Sequence, residues 1–140
     1  MKDNSVLKVE VVVAKPIDVV WKAWTTPTDV KLWNIPFPDW HCPKAEIDLR
    51  AEGFFSFRME KIDGSEGFDH SGFYDKVIDN QLIEYTGLDK RKSIIEFIEN
   101  QNTTTISEIF EPEEMTPIDL QSDFCQSVLK NFKKHVESKT

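Results

Sequence analysis

A proline, an amphipathic stretch, a Thr-Pro break and three tryptophans crowd into the segment from Lys15 to Trp33. A β-branched stretch precedes this segment. A long series of strand and hairpin signals follows it, and one long amphipathic run closes the chain. No other feature constrains the fold as much as this order. Strands on both sides of a short helical interruption must share one sheet, and a long apolar helical stripe must be buried against that sheet. The expected result is an α+β architecture. A curved antiparallel sheet wraps a C-terminal helix, two short helices plug one end, and an internal cavity lies between sheet and helix.

The elements can be read one by one. Val6 to Ala14 is rich in valine and predicts the first strand. Pro16 is expected in the first helical turn, where its missing N–H costs nothing. Ile17, Val20, Trp21 and Trp24 then recur at helical spacing as one stripe. Thr26 and Pro27 start a second short helix carrying Val30 and Trp33 inward, and Pro36 and Pro38 forbid its continuation. Trp40 to Pro43 reads as irregular or edge chain. Strands are predicted at Lys44 to Leu49, Phe54 to Ile62, Phe68 to Ile78, Gln81 to Leu88, Ser93 to Glu99 and Thr103 to Phe110, with turns such as Asp63-Gly64 between them. Thr116 is the expected cap of the last helix, with Pro117 at its first position. Leu120, Phe124, Val128, Phe132 and Val136 step by four along it, beside Cys125 and Leu129.

Length and charge limit the function. The 140 residues fit one domain, 1–140, with a sizeable core. With 25 acidic and 17 basic residues the formal net charge is −8, which speaks against nucleic acid as a partner. No apolar run is long enough to cross a membrane. Met1 to Ser5 lack a signal-peptide core, so a cytoplasmic location is expected. Cys42 and Cys125 form no paired motif, which predicts free thiols, with Cys125 buried on its helix. No metal-ligand spacing appears, and no cofactor is expected. The acidic run Glu108 to Glu114 reads as solvated surface, and His135 as exposed.

Three constellations could carry function. The first is an aromatic set: Trp33, Phe37, Trp40, His41, Phe55, Phe57, Phe68, Tyr74, Tyr85 and Phe124, with Met59, His70 and Leu120 beside it. It could line a cavity for a flat or apolar small molecule, or simply fill the core. Tyr74, Tyr85 and His70 would supply polar contacts. The second is the pair Arg58 and Glu60. Pointing inward they would form a buried ion pair or grip a polar ligand group; pointing outward they are a surface pair, the reading favoured by Phe55, Phe57 and Met59 on the opposite face. The third is His70 as a general base. No Ser/His/Asp order, phosphate loop or dinucleotide turn accompanies it, and no catalytic residue is assigned.

The motifs also resemble a known family. Ala14-Lys15-Pro16-Ile17-Asp18-Val19-Val20-Trp21-Lys22-Ala23-Trp24 is similar to the opening A-P-x-x-x-V-W-x-A-W/F of the START-like (SRPBCC) superfamily. Asp48-Leu49-Arg50-Ala51-Glu52-Gly53-Phe54-Phe55 resembles its D-L-R-x-G-G-x-F. Arg58 to Ser65, Gly67 to Tyr74, Phe110-Glu111 and Asn131 to Lys134 resemble the subgroup of the activator of heat-shock protein 90 ATPase. The resemblance implies the helix-grip fold over nearly the whole chain and implies no catalytic residues. Two positions depart from the pattern. Glu52 replaces a glycine, so less backbone freedom is expected there, and Asp123-Phe124 replaces Gly-Trp. The leading expectation is a protein that binds a hydrophobic or aromatic small molecule between sheet and helix. The alternatives are a co-chaperone-like module of the heat-shock protein 90 activator type and a cyclase- or hydrolase-type enzyme using a cavity histidine or acid. Either a monomer or a homodimer is compatible with the sequence.

Overall fold

The computed structural model describes residues 6–139. Met1 to Ser5, on which the expectation about targeting rests, lie outside them. In chain order the elements are β1 (Leu7–Val13), α1 (Ile17–Thr25), α2 (Pro27–Trp33), β2 (Trp40–Ile47), β3 (Phe54–Lys61), β4 (Gly67–Ile78), β5 (Leu82–Gly87), β6 (Lys92–Asn100), β7 (Thr103–Phe110) and α3 (Ile118–Glu137). The strands form one seven-stranded antiparallel sheet in the order β1-β7-β6-β5-β4-β3-β2. Strands β2 to β7 are therefore a meander, and β1 returns to pair with β7. This is the helix-grip order expected from the sequence.

Alternation decides which face of each strand meets α3. In β7, Thr104, Ile106 and Phe110 are buried, and Ile106 lies opposite Val11 on β1 and Phe97 on β6. From α3, Val128, Leu129, Phe132 and Val136 close the core. Phe132 is fully buried and meets Trp24 and Trp33 edge-on at 5.0 and 4.8 Å. The short helices thus plug one end of the grip through aromatic contacts with α3.

Several local expectations change. β2 starts at Trp40 rather than Lys44, because the register shifts between His41 and Lys44 and accommodates Cys42 and Pro43 as a bulge. Pro16 and Pro117 are the N-cap residues of α1 and α3, not first helical residues, and Thr116 does not cap α3. Thr26 does precede α2, but its hydroxyl donates back to Lys22 O at 2.6 Å instead of capping. The first amide of α1 is satisfied from a distance, with Ile17 N–H donating to Glu99 Oε2 at 3.0 Å. Of the α1 stripe, only Val20 is fully buried. Ala23 is the other buried residue, while Ile17, Trp21 and Trp24 are half-buried.

Glu52 overturns the expectation of reduced backbone freedom. Its φ is 69°, in the left-handed region that glycine occupies without penalty. Its N–H donates to Tyr74 O at 2.7 Å, so the β2–β3 loop is pinned to β4 in that conformation. Gly53 is required by contact instead, since a Cβ there would lie 1.9 Å from Asp48 O.

His135 is not exposed. Its Nε2 and Asp29 Oδ1 are 2.9 Å apart, and Lys139 Nζ donates to the same oxygen at 2.7 Å. These contacts tie the end of α3 to α2. Burial acts to raise the Asp29 carboxyl, but hydrogen bonds from Lys139 and His135 outweigh it and hold it below its ordinary value. Among the described residues no helix is long and apolar enough to cross a membrane.

Candidate functional site: an aromatic cavity with an acid in its wall

Between the concave face of the sheet and α3 lies a cavity of about 70 Å³. Trp24, Trp33 and Val128 wall it from the helices, and Phe55, Phe57, Tyr74, Ile83, Tyr85 and Ile95 from the strands. Its polar lining is sparse: Thr25 and Asn34 at the helical end, and His70, Tyr74, Tyr85 and Glu108 on the sheet. Among the described residues no lysine or arginine lines it. The wall rings hold one another in place. Phe55 is almost fully buried and packs on Phe57, His70, Tyr74 and Tyr85 at centroid distances of 5.4, 5.4, 5.1 and 4.8 Å.

His70 and Tyr85 act as a unit. His70 Nε2 and Tyr85 Oη lie 3.2 Å apart, so one donates and the other accepts. Burial, with a smaller push from Arg91, lowers the imidazole to about 4, so the ring is neutral at pH 7. Burial also raises both tyrosine hydroxyls well above their ordinary value, which keeps them protonated donors. Tyr85 is further raised by the charge of Glu108.

Glu108 is the acid that sequence reasoning misplaced. It was expected on a solvated acidic surface, yet it lies opposite Val9 and Ile95 on the concave face and lines the cavity. Burial raises its carboxyl from 4.5 to about 7. No side chain or backbone group among the described residues hydrogen-bonds to that carboxyl. Strand parity carried the signal: Glu108 alternates with Ile106 and Phe110, both buried. Trp24, Thr25, Asn34, Ile83, Ile95 and Val128 were also missed. The helical ends that bring Thr25 and Asn34 to the cavity depend on how α1 and α2 dock.

The anticipated aromatic set divides in two. Trp33, Phe55, Phe57, His70, Tyr74 and Tyr85 line the cavity. Phe37, Trp40, Phe68 and Phe124 instead form a separate cluster toward the end of the sheet. There Phe124 meets Phe37, Trp40 and Phe68 at 6.1, 5.9 and 6.0 Å. Met59 is buried core, and Leu120 is 58% exposed at the start of α3. His41 turns to Glu60, with Nε2 and Oε2 3.3 Å apart, and Glu60 in turn accepts from Arg58 at 2.9 Å. Arg58 and Glu60 thus lie on the outer face, as alternation implied. Cys42 and Cys125 are free thiols. Cys42 is buried and Cys125 half-buried, and burial raises the Cys42 thiol to about 11.

Comparison with solved structures places this geometry among relatives. A solution structure from Cytophaga hutchinsonii is 45% identical, covers 93% of this chain and 90% of its own, and superposes with a TM-score of 0.80. The AHSA1-like protein from Aeromonas hydrophila is 30% identical over 94% of this chain and 93% of its own, with a TM-score of 0.84. A crystal structure from Chromobacterium violaceum reaches a TM-score of 0.86 at 19% identity, over 96% of this chain and 99% of its own, and shows the fold alone. No curated protein matches the chain. The family model described as "Activator of Hsp90 ATPase homolog 1-like protein" matches residues 14–137, and on this match, its motifs and its helix-grip sheet, the chain belongs to the AHSA1-like family.

Proposed function

We propose that this protein binds a small, mainly apolar molecule between the concave face of the sheet and α3, without covalent chemistry. The observation that carries the reading is the aromatic cavity itself, with a few polar groups aimed into an apolar box. Such lining is what small-molecule sites share. At about 70 Å³ it suits a compact ligand, or a larger one that widens the gap between α3 and the sheet. A helix gripped by a curved sheet can yield there without breaking backbone hydrogen bonds of either element.

A second reading has one observation in its favour. Glu108 is a cavity acid raised to about 7, the range in which a carboxyl serves as a general acid or base. His70 is a weaker candidate for that task, because its imidazole is held down to about 4. The co-chaperone reading loses Glu108 from the acidic surface that would meet a basic partner.

The test is native mass spectrometry on protein purified from its host, followed by a thermal-shift screen of small apolar compounds. A co-purifying mass, or a compound class that raises the midpoint, supports binding. The absence of both a bound mass and any shift would sink it and send attention to partner capture. Product formation from a stabilising compound, lost in Glu108→Gln, would favour the acid–base reading.

A further inference from the structure

The cavity holds one feature that an apolar ligand does not use. Glu108 presents a carboxyl with no hydrogen-bond partner among the described residues, inside a box of aromatic rings. A half-buried carboxyl that faces a mainly apolar cavity without a partner is costly to ionise, and proteins usually pair such a group or leave it for something else to pair. The surrounding chemistry says what that something is. Among the described residues no lysine or arginine lines the cavity, so none of those walls neutralises the acid. Trp24, Trp33, Phe55, Tyr74 and Tyr85 line the same space, and aromatic rings attract cations placed over their faces.

Resting on the small-molecule reading above, we infer that the ligand is a compact primary or secondary amine, bound as its ammonium ion with Glu108 as counter-ion and the aromatic walls around its apolar part. An ammonium supplies both the donor and the charge that the lone carboxylate lacks. An anionic ligand would instead meet Glu108 with like charge. A neutral alcohol would satisfy one lone pair and leave the charge unpaired.

The groups around Glu108 do not oppose this. His70 on β4 is neutral, so it adds no positive charge to repel an ammonium. Tyr74 on β4, Tyr85 on β5 and Cys125 on α3 are all raised by burial and stay protonated. Arg91, just before β6, is the nearby positive charge: it acts on His70, Tyr85 and Cys125 but does not line the cavity, and its guanidinium donates to Asp89 Oδ2 at 2.6 Å and to Glu111 O at 3.3 Å. Outside the cavity, the net charge of −8 favours the approach of a cation.

The experiment is a titration of the full chain at pH 8, followed by amide chemical shifts. The probes are three of near-equal shape: isobutylamine, isobutanol and isobutyrate, with benzylamine, benzyl alcohol and benzoate as a larger set. The expected result is that each amine binds at least tenfold more tightly than its alcohol, and that the carboxylates do not bind. Shifts should centre on the strands that carry Glu108 and Tyr85. In Glu108→Gln the amine's advantage over the alcohol should vanish. Equal binding of amine and alcohol by the parent overturns the amine assignment and leaves the small-molecule reading standing. So does an amine preference that survives in Glu108→Gln. If no probe in either set perturbs the cavity residues, both readings fall. The parent's amine-to-alcohol ratio needs no variant, so the inference can be refuted even if Glu108→Gln does not fold.

Discussion

Glu108 occupies a face on which its strand otherwise places Ile106 and Phe110, and its cost shows in the pH dependence of stability. In the folded protein its carboxyl is raised from 4.5 to about 7, so the native state binds more protons than the unfolded chain across that window. Stability from this group is therefore fully present below pH 4.5 and declines as pH rises toward 7. Its loss by pH 8 is about 3 kcal/mol. His70 works in the opposite sense. Its imidazole is lowered from 6.5 to about 4, so its contribution is present above pH 6.5 and is lost as pH falls through that range. Replacing Glu108 by glutamine separates the two. The stability gap between Glu108→Gln and the parent should widen in the variant's favour by about 3 kcal/mol between pH 4.5 and pH 8, read from urea midpoints. A gap that does not change with pH would mean that the carboxyl reaches bulk water. A second residue carries a backbone cost. Glu52 holds a left-handed conformation that disfavours any side chain by roughly 1 kcal/mol, partly offset by the chain entropy that glycine would add to the unfolded state. Glu52→Gly should stabilise by roughly 0.5 kcal/mol, while Gly53→Ala should destabilise, because its Cβ would collide with the Asp48 carbonyl. The sequence shows a departure from Gly-Gly at this point, but the sign of φ at Glu52 appears only once the loop is pinned to β4.

Among the elements, α3 has two tasks. Its stripe fills the grip, and its flank covers the free edge of β1. Gln126 Nε2 donates to Glu10 O at 3.0 Å, Lys133 Nζ to Val12 O at 2.7 Å, and Ala14 N–H donates to Glu137 Oε2 at 2.7 Å. These contacts occupy backbone groups that would otherwise be open to strand pairing. The opposite edge, β2, is blunted by its bulge and by Pro43. Helical periodicity revealed the stripe of α3 almost residue by residue. It could not show where the stripe stops being covered, so Leu120 was expected inside and lies 58% exposed. The same limit applies to α1, where the ring of Trp21 rests on Phe97 at 5.1 Å but stays half-buried. Truncations should rank accordingly. Phe132→Ala, at a site with no exposure, should cost about 3–5 kcal/mol. Trp21→Ala should cost about 2 kcal/mol, since only part of its ring surface leaves water on folding. Denaturant midpoints that reverse this order would contradict the packing of both helices.

For the whole molecule, the order of strands and helices was legible because each element's period and each turn's chemistry pointed to the same sheet. Strand parity correctly set Arg58 and Glu60 apart from Phe55, Phe57 and Met59. Parity says which face a residue takes, but not how far along the grip it sits. That is why Phe37, Trp40, Phe68 and Phe124, all aromatic, lie in a second cluster rather than around the cavity. The cavity itself arises from a mismatch of shapes, a curved sheet against a straight helix, and its lining mixes residues from five strands and three helical segments. Its status as a site rather than a packing defect can be tested by filling it. Val128 reaches the cavity from α3, and Val128→Phe puts an aromatic ring where about 70 Å³ now stands open. In a tightly packed core the same change forces side chains off their rotamers and costs about 1–3 kcal/mol. Here the ring has space, so the denaturation midpoint should stay within about 1 kcal/mol of the parent's or rise above it. Ligand-induced chemical-shift changes should disappear together with the space. A variant that is badly destabilised would show that the gap closes in solution. A variant that folds normally and still binds the same molecules would move the binding site out of the grip.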